Sequence, residues 1–230
     1  TLVVTVFVAL AGMSSGFRYA FRASGRTDNA IIVQRGSASE LTSAIPKDQE
    51  NFLVADERVK RDANGNPMAS PEIVTVVNLR HRKDGTPTNV TLRGVTPAAF
   101  EVRGGVTLKA GRRLTFGLNE VIVGERIAER IEGLDVGGTI KMQKRDWTVT
   151  GIFASEGSGF ESEIWMDSKV LTQAFNRRGM AQSITLRLAD PSTLAGFAEE
   201  LKSDPKVQVE LKEERQYYED QAGPIATNML

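Results

Sequence analysis

The sequence predicts an α+β fold: a split β-α-β domain carrying an inserted, small β-rich, barrel-like domain, flanked by stubs of membrane helices. Three observations predict it. A strand, an amphipathic helix and a returning strand follow one another between Ile184 and Leu211, and the first seventy residues show a strand–helix–strand order that could partner them. Between these halves, short apolar strands alternate with glycine-rich turns, a different texture. Finally, both ends of the chain turn apolar. The expected divisions are a membrane-helix end and stalk over 1–27, the split domain over 28–95 with 180–212, the insertion over 96–179, and an exit helix leading into a second membrane helix over 213–230.

The first sixteen residues, Thr1 to Gly16, are uncharged, and no charge appears until Arg18. A membrane helix needs about 20 apolar residues, so this run reads as the outer part of a span met partway. A secretory signal would open with a basic segment, and none precedes it. Arg18, Arg22 and Arg26 follow at four-residue spacing on one helical face, a stalk that ends near Gly25.

Ala30 to Val33 is a short buried strand, and Ser39 caps a short helix that runs to Ser43. Pro46 to about Arg61 reads as a helix with Phe52, Leu53 and Val59 facing inward. Asn64-Gly-Asn-Pro67 is a turn. Ile73 to Leu79, rich in β-branched residues, forms a strand that returns through Asp84-Gly85 to a second strand containing Val90 and Leu92. From Gly94 to Gly117 the glycines predict short strands and turns. Glu120–Val123 is a strand and Glu125 to Ile131 a brief helix. Val136–Ile140 pairs with Trp147–Phe153, and a strand over Glu163–Met166 precedes a helix from Ser168 to Phe175. In the last third Ile184, Leu186 and Leu188 alternate with polar residues. Asp190-Pro191 then starts a helix whose Leu194, Phe197, Ala198 and Leu201 share a face. Val207, Val209 and Leu211 make the returning strand, and a charged helix begins at Glu213.

Composition narrows the function. Lys+Arg and Asp+Glu number 29 each, a balance that argues against a nucleic-acid binder, which needs a basic face. With no cysteine, disulfides, thiolate metal sites and cysteine nucleophiles are excluded. The one histidine, His81, lies between Arg80 and Arg82 in a turn, a setting for a solvated side chain and not for a general base. No cofactor, metal or catalytic site is expected. Gly12-Met-Ser-Ser-Gly16 matches the G-x-S-x-G elbow, but that motif needs a strand-to-helix turn and a histidine partner, and small residues at the end of an apolar run serve helix packing.

The acidic residues Glu156, Glu161 and Glu163 surround a glycine-rich segment that carries Phe160. Glu161 and Glu163, two apart on a strand, would share a face and could hold a cation or share a proton; an exposed acidic edge is the plainer reading. Phe160, displayed on a flexible loop beside them, is a candidate contact for a partner protein, since interface cores favour aromatics. Arg18, Arg22 and Arg26 could meet lipid headgroups, but pairing with the acidic start of the exit helix, including Glu213 and Glu214, is the favoured expectation.

An ordered set of segments resembles the extracytoplasmic domain of MacB-type ABC transporter permeases. They are Arg93-Gly-Val-Thr-Pro97 with Phe100, Leu108-Lys-Ala-Gly-Arg112, Asn119-Glu-Val-Ile-Val-Gly124 and Leu134-Asp-Val-Gly-Gly-Thr-Ile140. Trp147-Thr-Val-Thr-Gly-Ile-Phe153, Glu161-Ser-Glu-Ile-Trp165 and Tyr217-Tyr218 continue the order. The resemblance implies a domain between the first two membrane helices of a permease, with a split α/β part called porter and an inserted β-rich part called sabre. It implies a non-enzymatic domain outside the inner (plasma) membrane, an ATP-binding cassette subunit that hydrolyses ATP in the cytoplasm, a permease dimer, a periplasmic partner protein, and long helices that carry motion outward. The three arginines would by themselves place a cytoplasmic face here. Two other readings remain: a membrane-anchored module that regulates an envelope protein such as a cell-wall hydrolase, and an envelope enzyme built on the acidic cluster.

Overall fold

The computed structural model describes residue 20, residues 23–177 and residues 179–227, with the backbone alone for 222–227. The apolar run, its G-x-S-x-G match, Arg18 and Arg22 lie outside the described residues. Among those described, no helix is long and apolar enough to cross a membrane.

The elements follow in order as strand β1 (Asn29–Gln34), a 3-10 turn (Glu40–Thr42), β2 (Ile45–Pro46), helix α1 (Lys47–Ala55), β3 (Ala69–Arg80), β4 (Pro87–Val95) and α2 (Ala99–Arg103). Next come β5 (Thr107–Gly111), β6 (Glu120–Gly124), α3 (Glu125–Arg130), β7 (Thr139–Met142), β8 (Arg145–Ala154), a 3-10 turn (Gly159–Ser162), β9 (Glu163–Asp167) and α4 (Ser168–Ala174). The chain closes with β10 (Met180–Ala181), β11 (Ser183–Arg187), a 3-10 turn (Pro191–Thr193), α5 (Leu194–Ser203), β12 (Val209–Glu213) and α6 (Glu214–Thr227).

The split β-α-β unit is present. β11 leads through α5 to β12, but β1 lies between those two strands and pairs antiparallel with both, Ala30 facing Leu186 on one side and Glu213 on the other. Asp190 starts the connecting helix as its spacing predicts, accepting from the Ser192 N–H at 2.9 Å.

The inserted strands do not form a barrel. One sheet runs β12-β1-β11-β3-β4-β9-β6-β8-β5, with β7 beside β8, and it does not close among the described residues. The reason is the junction at β4. Its outer edge takes β9 in parallel, Leu92 opposite Ile164, so the inserted strands, paired among themselves, continue the long β3–β4 hairpin as an open sheet.

Three further expectations change. The helix from Pro46 stops at Ala55, because Asp56 turns the chain and accepts from the Arg58 backbone and guanidinium. Leu53 is buried and Val59 instead bridges to Leu188, while Phe52 faces outward at 53% exposure. The stretch after Gly94 contains helix α2, too short for its period to show, with Phe100 and Val102 buried. Strand β11 is buried on both faces, Thr185 included, since its polar side meets the ion network described below.

Three apolar clusters form the core. One joins α1 and α5 to β1, β11 and β12; a second joins the β3–β4 hairpin to β6, β8, β9, α3 and α4. The third, on the opposite face, draws Ile31, Val95, Phe100, Phe153, Trp165 and Tyr218 from six elements and so binds α6 to both parts of the sheet.

Candidate functional site

Strand β4 alternates, and Arg93 falls on the face covered by α6 and the Glu40–Thr42 turn. Its guanidinium is 2% exposed and every N–H is engaged. Nη1 donates to Glu40 Oε1 at 2.7 Å and Glu72 Oε2 at 2.9 Å; Nε and Nη2 donate to Glu163 at 2.8 and 2.9 Å; Nη2 also reaches Glu40 Oε2 at 3.1 Å. Arg103, on α2, is equally buried. It donates to Glu72 at 2.6 and 3.2 Å, to Thr185 Oγ1 at 3.1 Å, and to Glu214 Oε1 at 2.8 Å. Glu214 is the first residue of α6. Its other oxygen accepts from Asn29 Nδ2 at 2.9 Å and from the Arg26 backbone N–H at 3.1 Å.

Four carboxylates thus face two guanidiniums. Neutral donors compensate: Ser183 Oγ and the Tyr218 hydroxyl donate to Glu40, and Trp165 Nε1 donates to Glu163. Burial pushes the Glu40 carboxyl upward, but the Arg93 charge and its hydrogen bonds outweigh burial and bring it to about 2. For Glu214 burial wins. It raises that carboxyl against the opposing pull of Arg103, Asn29 and the Arg26 N–H, with Glu72 adding to the rise. The two act on stability in opposite senses. Glu40 contributes above its ordinary value of 4.5, and that contribution is lost as pH falls toward about 2. The contribution of Glu214 is present at low pH and fades as pH rises through its raised value. Glu40→Gln is therefore expected to flatten the acid limb of a stability–pH curve between about 4.5 and about 2, read from urea midpoints.

The network lies where the two legs of the domain meet. Ser24 on the entering leg accepts from the Gly159 N–H at 2.9 Å and donates to Ala20 O at 2.8 Å. Gly25 packs directly on the start of α6, where a Cβ would run into the backbone of Arg215. Gly25→Ala should therefore cost about 1–3 kcal/mol, the usual range for overpacking, read as a lowered urea midpoint.

The residues singled out from sequence are placed as follows. Phe160 is not displayed on a loop. It is 4% exposed, edge-on to Trp165 and Tyr218 and under the Arg103 guanidinium at 4.3 Å, because that aromatic cluster needs it to close. Glu161 and Glu163 are buried and do not converge on a common ligand. Glu161 lies in the 3-10 turn, pairs with Arg126 at 3.0 Å and accepts from the Ser155 and Gly157 N–H groups; Glu163 belongs to Arg93. Glu156 is exposed on that loop. Arg26 meets Glu214 through its backbone, while its side chain pairs with Asp28 at 2.8 Å. Glu213 ends β12 opposite Ala30. His81 sits in the hairpin turn, 3.7 Å from Asp84, its Nδ1 accepting from the Lys83 N–H. Trp147 and Trp165 are fully buried.

Sequence reading missed Arg93, Arg103, Glu40 and Glu72. The available signal was weak: a charge next to apolar strand residues, Glu72 before Ile73 and Arg93 after Leu92.

The profile of the MacB-like periplasmic core domain matches residues 1–204. The periplasmic region of MacB from Actinobacillus actinomycetemcomitans superposes with a TM-score of 0.61 at 16% identity, covering 88% of this chain and 95% of that one. The extracellular domain of the ABC-type transporter YknZ from Gram-positive bacteria gives 0.57 at 16% identity, over 80% of this chain and 99% of that one. No curated protein sequence matches. At such identity the superpositions speak for the fold alone, and with the profile covering most of the sequence, the chain belongs to the family of MacB-like periplasmic core domains.

Proposed function

We propose that this is the outer, non-catalytic domain of an ABC transporter permease in the inner (plasma) membrane, and that it receives motion from the membrane legs through the buried ion network. One observation carries the reading: the first residue of α6, Glu214, is bound to Arg103, which is bound in turn to β3 and β11, so the leg and the sheet share one set of charges. A rigid link of this kind can pass a shift between two packed states. ATP hydrolysis then belongs to a separate cytoplasmic ATP-binding cassette subunit, and the permease works as a dimer. The part over 28–95 with 180–212 takes up the motion, and the insertion over 96–179 presents it to a periplasmic partner protein. Phe160, at 4% exposure, is not an exposed contact for that partner.

Because this domain has no cysteine, labels can be placed in it at single introduced cysteines, in a background where any others have been replaced. Spin labels at the exposed positions Leu118 and Gln216, in the complete permease with its ATPase, should hold one narrow separation with and without ATP. In Arg103→Gln the same pair should broaden and become nucleotide-dependent, with ATP hydrolysis retained. A broad distribution in the wild type, or an unchanged one in the variant, would refute coupling through this network.

A further inference from the structure

Beyond this role, a cavity of about 430 Å³ opens between α6, the Glu40–Thr42 turn and the β3–β4 hairpin. That volume lies within the range of small-molecule sites, roughly 300–1,000 Å³. Its walls are Leu41, Val74, Phe160, Tyr217 and Tyr218, with Leu41 forming a half-exposed apolar lip. At its floor are Arg93, Glu40 and Glu163.

The floor decides the charge of a guest. All the N–H groups of Arg93 are taken and carboxylates outnumber guanidiniums, so an anion finds repulsion and no free cationic donor at the floor. A cation would lose hydration against apolar walls while the carboxylate oxygens are already occupied by donors. One donor is left over. The Tyr217 hydroxyl, on a residue 4% exposed that lines the cavity, has the Glu40 backbone N–H beside its oxygen but donates its own proton to no described residue. Burial, together with the Glu40 charge, holds it protonated and therefore a donor. A buried hydroxyl proton without an acceptor is unfavourable, and a guest acceptor would relieve it.

We propose that this cavity is a binding site for an uncharged, mainly apolar small molecule that carries a hydrogen-bond acceptor for the Tyr217 hydroxyl. The site lies between the exit leg and the hairpin, so an occupant touches both. Equilibrium dialysis of the whole chain against 1-acetylnaphthalene, a neutral bicycle with one carbonyl, tests it. Saturable binding is expected, weakened about tenfold in Tyr217→Phe, the change that one lost hydrogen bond implies. Under the same conditions 1-methylnaphthalene, which lacks the acceptor, should bind more weakly and be indifferent to that substitution. The anion 1-naphthoate should not bind. Leu41→Asp, at the exposed lip and so harmless to folding, should weaken both neutral probes. Non-saturable uptake, binding of naphthoate as tight as that of the ketone, or wild-type affinity in both variants would overturn the proposal. Such a failure leaves the coupling reading intact, because that reading is judged by label separations.

Discussion

Arg93→Met is expected to destabilise the domain by about 3–5 kcal/mol or more, the usual cost of removing one partner from a buried ion pair. Three largely buried carboxylates, Glu40, Glu72 and Glu163, are bound to this guanidinium, and only Glu72 keeps a second one, that of Arg103. The substitution keeps much of the apolar stem, so packing loss is minor and electrostatics dominate. A second signature distinguishes the two. Without Arg93, Glu40 loses the largest of the influences that hold its carboxyl low, and burial, which disfavours the charged form, pushes it upward. The variant should therefore gain stability relative to the wild type as pH is lowered below neutral, the reverse of the acid loss contributed by Glu40. Urea midpoints measured across that range decide it; parallel curves for the two proteins would show that Arg93 acts through packing.

Trp165→Ala is expected to cost about 3–5 kcal/mol, the range for deleting a large buried aromatic. Trp165 is fully buried at the centre of the third apolar cluster, with ring centroids 4.7 Å from Phe153, 5.7 Å from Phe160 and 6.1 Å from Phe100. It also supplies the Nε1–H that Glu163 uses beside Arg93. Trp165→Phe retains most of the ring contact but withdraws that donor. A loss well below that of the alanine variant assigns the difference to packing, whereas equal losses would assign it to the hydrogen bond. Far-UV circular dichroism in urea, applied to both variants, separates these outcomes.

Much of the fold was legible because its strands carry apolar alternation and its turns carry glycine or Asp-Pro. The β11–α5–β12 unit reads directly from Ile184, Phe197 and Leu211. The barrel was misjudged because closure is a property of pairing. Nothing in residues 120–166 announces that β9, besides pairing with β6, will lie parallel to β4 and leave the sheet open. The site was less legible still. Phe160 sits in a Gly-Ser-Gly-Phe segment that looks exposed by composition, and its burial depends on Tyr218, which arrives 58 residues later in sequence but at 5.7 Å in space. Arg103 and Glu72 become partners only when α2 folds across β3, a contact without any local pattern.

The position of β1 also constrains how the domain is made. This strand leaves synthesis early, yet both its neighbours come from the end of the chain: Asn29 waits for Arg187, and Gln34 for Val209. Pairings this distant carry a large loop-closure cost, and they slow folding. During translation the β3–β4 hairpin and the insertion behind it can assemble first, while Ala30, Ile31 and Ile32 remain an unpaired apolar edge open to wrong partners. Completion then comes as one late event, in which β11 and β12 close around β1 and bring Glu214 to Arg103. Helix α6 becomes attached to the sheet in the same step that finishes it, so a domain caught half-folded lacks the Glu214–Arg103 connection.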